Sequence, residues 1–261
     1  MTAPRVYQTE AIILKRTKLG EADRILTLYT PQLGKLKAVA KGTRRPQSKL
    51  GGHVELLTHS RLMLARGRNL DIITQAQTIN NFLPIKDDLE RISFGLYIAE
   101  LIDCFTGERI EDRQLFDLLL DTLHQLAQAK NSEIILRYFE LHFLDNLGYR
   151  PQLKQCTECG SPLRPEANFF SPSQGGALCP DCGYHEPTAR PLSLNALKVL
   201  RLWQDCSYTT AKRVRLNPEL ASELEQVMRE YIKYLLERQL KSTVWLDRLK
   251  QEIYSQRMSF Y

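Results

Sequence analysis

The stretch Arg24–Lys49, RILTLYTPQLGKLKAVAKGTRRPQSK, decides the fold of the first third of the chain. It contains two short runs in which polar and apolar residues interchange, Arg24–Thr30 and Lys35–Lys41, separated by the residues PQLG. Alternation at period two is typical of half-buried β-strands, and a short segment with Pro and Gly is typical of a turn. The stretch therefore predicts two strands joined by a turn, with a basic loop from Gly42 to Lys49.

Three more runs with the same period lie nearby, at Tyr7–Arg16, Val54–Ala65 and Leu70–Asn80. Five short strands within about 80 residues must protect their edges, and closing into a small barrel is a common solution. We therefore predict an α+β protein that begins with a five-stranded antiparallel barrel of the oligonucleotide-binding (OB) type at residues 1–80. An SH3-like barrel is the alternative.

Positive charge is concentrated in this same region. Residues 1–80 contain 14 Lys and Arg against 5 Asp and Glu, whereas residues 81–261 contain 22 against 25. Such segregation is expected of a module that binds a polyanion, although a solvated basic face would have the same composition. We predict that phosphate groups of DNA contact a set of seven cations: Arg24, Lys35, Lys37, Lys41, Arg44, Arg45 and Lys49. Tyr7 and Tyr29 could stack bases, but we favour a core or structural role for each of them.

After Asn81 the apolar period changes to that of helices. Amphipathic patterns cover Asp88–Thr106, Asp112–Ala129, Glu133–Leu147, Ser193–Asp205 and Asn217–Leu240. Asn217 followed by Pro218 is typical of a helix start. We therefore predict a helical domain over residues 81–261, into which a separate module is inserted at residues 151–190.

The inserted module contains two C-x-x-C pairs, Cys156 with Cys159 and Cys179 with Cys182, each followed by Gly. Four thiolates at this spacing can complete a tetrahedral zinc site, and two disulfides are the alternative. A site closed by four cysteines leaves no coordination position for water, so we predict a structural Zn²⁺. We interpret His185 as an exposed loop residue rather than a ligand.

Motifs of common enzyme classes are absent from the sequence. It contains no phosphate-binding G-x-x-x-x-G-K-[ST] loop, no G-x-G-x-x-G, no H-E-x-x-H and no G-x-S-x-G. No apolar run approaches the roughly 18 residues of a membrane span, and the N-terminus does not have the order of a secretory signal. We therefore expect a non-enzymatic protein of the cytoplasm with no membrane segment.

Taken together, these features resemble the RecO recombination-mediator family. The resemblance is carried by EADRILTLYT (Glu21–Thr30), by GKLKAVAKGTRRPQSK (Gly34–Lys49) and by the order of barrel, helices and C-x-x-C pairs. It implies a bacterial DNA-repair protein, associated with the nucleoid, that binds single- and double-stranded DNA and anneals complementary strands. It further implies that the protein acts with RecR to help RecA displace single-strand-binding protein, whose acidic C-terminal tail such proteins engage.

Three other functions are compatible with the residues. The same modules serve RNA-binding or translation-linked factors, and a basic face can belong to a scaffold that binds acidic protein tails. A metal-dependent enzyme would need an open zinc position. The sequence does not indicate the oligomeric state or the position of the tail-binding site.

Overall fold

The computed structural model describes residues 5–129, 132–237 and 239–247. It divides into two compact units, one formed by Met1–Ala129 with Leu240–Tyr261 and the other by Lys130–Gln239. Within the described residues, no helix is both long and apolar enough to cross a membrane.

Five strands form the sheet of the first unit: β1 (Val6–Leu19), β2 (Asp23–Thr30), β3 (Gly34–Ala40), β4 (His59–Ala65) and β5 (Asp71–Asn80). They pair in the order β1-β2-β3-β5-β4, and β4 pairs again with β1, so the pairing forms a closed circuit. A short 3-10 helix, Gly51–Val54, precedes β4. The predicted five strands are confirmed.

The prediction that all strands are antiparallel is wrong at one position. Residues Ala38–Ala40 of β3 pair with Asp71–Ile73 of β5 in the parallel sense. β3 and β5 are separated by a long stretch of chain, and such a connection allows two strands to pair in either the parallel or the antiparallel sense. The period-two pattern is the same in both cases, so it does not predict the direction of pairing. The remaining four pairings are antiparallel.

The alternation in β2 and β3 determines which side chains fill the barrel. Leu26, Leu28, Leu36, Ala38 and Ala40 are all buried in one apolar cluster. They occupy every second position of their strands, as the period-two pattern requires, because successive side chains of a strand point to opposite faces.

Three helices follow the barrel within the first unit: α1 (Leu83–Lys86), α2 (Leu89–Phe105) and α3 (Arg113–Gln128). Asp88 and Asp112 cap α2 and α3 by accepting hydrogen bonds from Arg91 N and Leu115 N. Residues 241–247 are also helical, and Glu100 accepts hydrogen bonds from the amides of Lys241 and Ser242 at their start. The helices α1 to α3 thus group with the barrel, and the domain boundary at residue 80 stays a prediction.

The second unit contains α4 (Ser132–Asn146), α6 (Leu194–Asp205), α7 (Tyr208–Ala211) and α8 (Pro218–Leu236). A small module lies between α4 and α6 and consists of β6 (Asn168–Ser171), β7 (Gly176–Leu178), α5 (Pro180–Gly183) and β8 (Arg190–Leu192), with the sheet order β7-β6-β8. Asn217 caps α8 as predicted. This helix ends at Leu236 rather than Leu240, because Glu237 adopts a left-handed conformation with φ of 53°.

Candidate nucleic-acid interface and metal centre

The basic loop after β3 is fixed by hydrogen bonds to the β1–β2 turn. Gly42 N donates to Asp23 Oδ1 at 2.7 Å, and Arg44 N donates to Ala22 O at 3.0 Å. Gly42 has φ of 66°, a left-handed conformation that is unfavourable for residues with a side chain. The Arg44 guanidinium also donates to Gly20 O at 3.2 Å. The loop is therefore a defined structure that brings its cations to one end of the barrel.

The β1–β2 hairpin adds cations to the same end. Lys18 pairs with Arg24 across the hairpin, and Arg24 pairs with Ala40, the residue before Lys41. Side chains of directly opposed residues lie on the same face of a sheet, so Lys18 and Arg24 share the face of the core residue Ala40 at this end of the barrel, and Lys41 follows where β3 ends. We call the set Lys18, Arg24, Lys41, Arg44, Arg45 and Lys49 the barrel-end surface. Except for the half-buried Arg24, all of its members are exposed, and no ion pair involves any of them in the described parts of the chain.

Arg24 is the deepest member of this surface. Its Nε atom is buried and has no hydrogen-bond partner among the described residues. Burial and the nearby charge of Arg24 lower the pKa of Arg16, which forms an ion pair with Glu55 at 3.6 Å. Lys18 and Arg16 are absent from the predicted set. The hairpin register places Lys18 opposite Arg24. This pairing could be predicted from the sequence only if the position of the β1–β2 turn were already known.

Lys35, one of the predicted DNA contacts, is engaged within the fold. Its side chain is 9% exposed, and Nζ donates to Asp103 O at 2.6 Å and lies 3.5 Å from Asp103 Oδ1. Residues 106–111, which we call the strap, connect α2 to α3 and run beside the first half of β3. Arg109 N donates to Lys35 O at 2.7 Å. The outward face of β3 is therefore covered at Lys35 by other parts of the same unit.

Lys37 lies on the same face and is neutralised by the strap. Its Nζ lies 2.5 Å from Glu108 Oε1, and this hydrogen bond raises the pKa of Lys37. The side chain remains 45% exposed. A phosphate at this position would have to displace the Glu108 carboxylate, so Lys37 is a weaker candidate than the members of the barrel-end surface.

The two tyrosines are engaged within the fold. Tyr29 is 1% exposed, and burial raises its pKa. Tyr7 donates to Asp71 Oδ2 at 2.6 Å, and the Arg66 guanidinium lies 5.2 Å from its ring centroid. Burial, with the hydrogen bond to Asp71, raises the pKa of Tyr7 to about 12. Neither ring is an open platform for a base, in agreement with the core or structural role that we favoured for both.

The four cysteines of the inserted module lie together in the second unit. The sulfurs of Cys156, Cys159, Cys179 and Cys182 all lie within 4.8 Å of one another, and those of Cys159 and Cys179 are 3.9 Å apart. A tetrahedral zinc with bonds of about 2.3 Å places its sulfurs about 3.8 Å apart. Cys156 is buried and Cys159 is exposed. The residues present therefore fit a four-thiolate metal site. His185 is exposed, as predicted, and does not belong to the cluster.

Two tight turns shape this cluster. Gly160 N donates to Cys156 O at 2.9 Å, and Gly183 N donates to Cys179 O at 2.8 Å. Hydrogen bonds from the hydroxyl and the amide of Ser161 lower the pKa of Cys159 to about 6, whereas the neighbouring thiols, Cys179 foremost, raise the pKa of Cys182. Four thiolates at this spacing repel one another, and a cation among them removes that repulsion.

Comparison with known proteins supports the resemblance seen in the sequence. The family model described as Recombination protein O N terminal matches residues 1–82, and the one described as Recombination protein O C terminal matches residues 86–243. The DNA repair protein RecO of Roseiflexus sp. (strain RS-1) is 46% identical over 247 residues, which cover 95% of this chain and 87% of that protein. A RecO of Dehalococcoides mccartyi is 42% identical over 251 residues, covering 96% and 99%. The chain therefore belongs to the RecO family of recombination and DNA repair proteins.

Proposed function

We propose that this protein is a recombination mediator that binds single- and double-stranded DNA through the barrel-end surface and anneals complementary strands. The observation that carries the proposal is the set of exposed cations outside ion pairs, which the basic loop and the β1–β2 hairpin bring to one end of the barrel. A surface cation that is already ion-paired neutralises little phosphate charge and so releases few counterions from the DNA. A cation outside ion pairs neutralises a phosphate and contributes to affinity directly. Barrels of the OB type bind oligonucleotides, and we propose that type for this one.

Contacts to the phosphate backbone suit annealing. A protein that anneals strands must hold them while their bases stay available for pairing, and phosphate contacts position a strand without reading its bases. Tyr29 is buried, and Tyr7 is half-buried and hydrogen-bonded to Asp71, which supports this mode because neither ring is open to stack on a base. Arg24, with its buried and unpartnered Nε, provides a donor at the base of the surface.

The four-cysteine cluster holds a structural Zn²⁺ in this proposal. Cys156, Cys159, Cys179 and Cys182 supply four thiolates, which fill the coordination shell of zinc and leave no position for a reacting water. The metal would join the turn at Cys156–Gly160 to the turn at Cys179–Gly183, and so add a cross-link to the small apolar core that includes Phe170 and Leu178.

Membership of the RecO family supports the further partners. We propose that the protein acts in the cytoplasm with RecR on DNA coated by single-strand-binding protein, engages the C-terminal tail of that protein, and thereby helps RecA load. The basic surface accounts for the DNA part of this activity. The sites for the protein partners are left unassigned.

The proposal is tested by following fluorescence quenching as two labelled complementary strands anneal, bare or coated with single-strand-binding protein. The perturbing variant replaces Lys41, Arg44 and Arg45 by Ala. The control variant replaces Lys15, Arg61 and Arg113 by Ala, which are 60%, 47% and 65% exposed but ion-paired to Asp103, Glu10 and Asp117. Both variants lose three positive charges from the same unit, one from the barrel-end surface and the other from cations that are already ion-paired.

We expect the wild type to accelerate annealing on both substrates, and the perturbing variant to lose most of this effect. The slope of log affinity for single strands against log salt should fall by about 2 in magnitude in the perturbing variant, at roughly 0.7 per contact, and by much less in the control. Equal slopes in the two variants would contradict the assigned surface. Tighter binding of structured RNA than of DNA would favour a translation-linked role, and binding of acidic tails without annealing would favour a scaffold.

A further inference from the structure

We infer that the second unit carries its own backbone-binding surface for single-stranded DNA, formed by Lys212, Arg213 and Arg215, so that one chain binds two strands at once. This inference rests on the proposed function and adds a second site to it. The three residues belong to the segment between α7 and α8, which we call the 212–215 loop. The composition of this part of the chain does not indicate a basic surface, because residues 81–261 contain more acidic than basic residues.

The backbone of the 212–215 loop is hydrogen-bonded to α7 from Lys212 to Val214. Lys212 N donates to Tyr208 O, Arg213 N to Thr210 O and Val214 N to Ala211 O, at 3.0, 3.1 and 3.2 Å. The buried indole of Trp203 donates from Nε1 to Ala211 O at 3.3 Å. A loop fixed in this way presents its charges without a large ordering cost when a ligand binds. The loop after β3 in the first unit is held by backbone hydrogen bonds of the same kind.

The charges of the 212–215 loop are exposed and uncompensated, unlike those of five other cations in the described part of the second unit. Lys212, Arg213 and Arg215 are exposed, and the described parts of the chain contain no ion pair or hydrogen bond from any of their side chains. Other cations of the unit are ion-paired: Arg137 with Glu140, Arg150 with Asp145 and Asp205, Lys154 with Asp205, Arg190 with Glu230, and Arg229 with Glu225. Three uncompensated cations within four residues form a local positive field.

The composition of the loop favours a phosphate backbone over an acidic protein. Protein partners are held mainly by apolar or aromatic anchors in the centre of the contact. The two apolar side chains between α7 and α8, Val214 and Leu216, are both half-buried. Cations without an exposed apolar anchor match the chemistry of phosphate contacts, which are charged and insensitive to sequence. A single strand is the form of DNA that annealing consumes, so we assign the loop to the second of the two strands.

The test measures how many short single strands one chain binds. The probe is a DNA oligonucleotide of about 10 nucleotides, within the site size of a single binding fold, titrated into zinc-loaded protein at low salt. We compare the wild type with Lys212→Ala/Arg213→Ala/Arg215→Ala, with Lys41→Ala/Arg44→Ala/Arg45→Ala, and with the control Lys154→Ala/Arg190→Ala/Arg229→Ala. The control removes three charges from the second unit that are already ion-paired.

We expect two oligonucleotides per chain for the wild type and the control, and one for each of the other two variants. Annealing of long strands should fall at least tenfold in both of those variants. A photoreactive residue in place of Arg213 should cross-link to the oligonucleotide in otherwise unchanged protein, a readout that does not depend on the stability of the triple variant.

Specific results overturn the inference. One oligonucleotide per wild-type chain, with normal annealing by the 212–215 variant and no cross-link from position 213, would refute the second site and leave the proposed function intact. Tighter binding of RNA than of DNA by the loop, or cross-linking to an acidic protein alone, would refute the assigned ligand. Absence of any DNA binding or annealing by the wild type would instead refute the proposed function itself.

Discussion

Replacing Gly34 by Ala should destabilise the first unit far more than the same change at Gly20, because the strap lies against Gly34. The two glycines have nearly equal backbone angles, with φ of 58° at Gly34 and 57° at Gly20. A Cβ atom at Gly34 would lie 1.7 Å from Ile110 O, whereas a Cβ at Gly20 has no heavy atom within 4 Å. The pair therefore separates the cost of the left-handed backbone from the cost of moving the strap.

The magnitude follows from these contacts. The left-handed conformation costs about 1–2 kcal/mol for a residue with a Cβ, and this applies to both variants. In Gly34→Ala the strap must also move, which strains the Arg109 N to Lys35 O hydrogen bond of 2.7 Å, worth about 1 kcal/mol, and overpacks the contact by about 1–3 kcal/mol. We expect a loss of about 3–6 kcal/mol for Gly34→Ala and about 1–2 kcal/mol for Gly20→Ala.

The assay is urea denaturation of the zinc-loaded full chain, followed by circular dichroism. Because two compact units can unfold in separate steps, amide hydrogen exchange along β3 assigns the loss to the first unit. We expect faster exchange at Lys35 and its neighbours in Gly34→Ala only. If both variants lose the same stability and β3 exchanges alike in both, the strap does not pack against this strand as described.

Three further predictions concern Lys35, Asp71 and the cysteines. Lys35→Met should lower stability by about 1–3 kcal/mol, because it removes a buried ion-pair partner of Asp103, yet leave the salt dependence of DNA binding unchanged; a smaller salt slope would restore Lys35 as a DNA contact. Asp71 is buried, which opposes its charge, but hydrogen bonds from Tyr7 and Arg109 outweigh burial and lower its pKa. The charged Asp71 therefore stabilises the fold fully above its unfolded pKa of about 3.9, and this stabilisation is lost as the pH falls through the lower folded pKa. We expect the free energy of unfolding to fall less steeply with acid in Asp71→Asn than in the wild type. Cys156→Ser should abolish stoichiometric zinc and melt the module from β6 to β8, as measured by metal analysis and amide exchange, whereas Cys206→Ser, outside the cluster, should retain one zinc per chain.

Much of the fold was predictable because it depends on local pattern. The alternation Leu36, Ala38, Ala40 placed the barrel core correctly, since period two fixes which side chains share a face. The apolar period predicted helices that begin at Asp88 and Asp112, and in the structure both residues cap these helices. The cysteine cluster was predicted from spacing, because each C-x-x-C turn brings its own two sulfurs together. The fold of the module then joins the two turns, through hydrogen bonds such as Thr157 N to Ala177 O.

The tertiary structure decided which outward-facing residues meet solvent. Lys35 and Lys37 point away from the barrel core as the alternation requires, but Asp103 and Glu108, about 70 residues later in the chain, compensate their charges. Lys41 and the cations after it extend beyond the strand and escape this cover. Lys212, Arg213 and Arg215 stand out only after the ion pairs of the other cations in their unit are known. Periodicity in a sequence indicates on which side of a strand or helix a residue lies. The burial and the ion pairs of that residue depend on segments far away in the sequence, which periodicity cannot indicate.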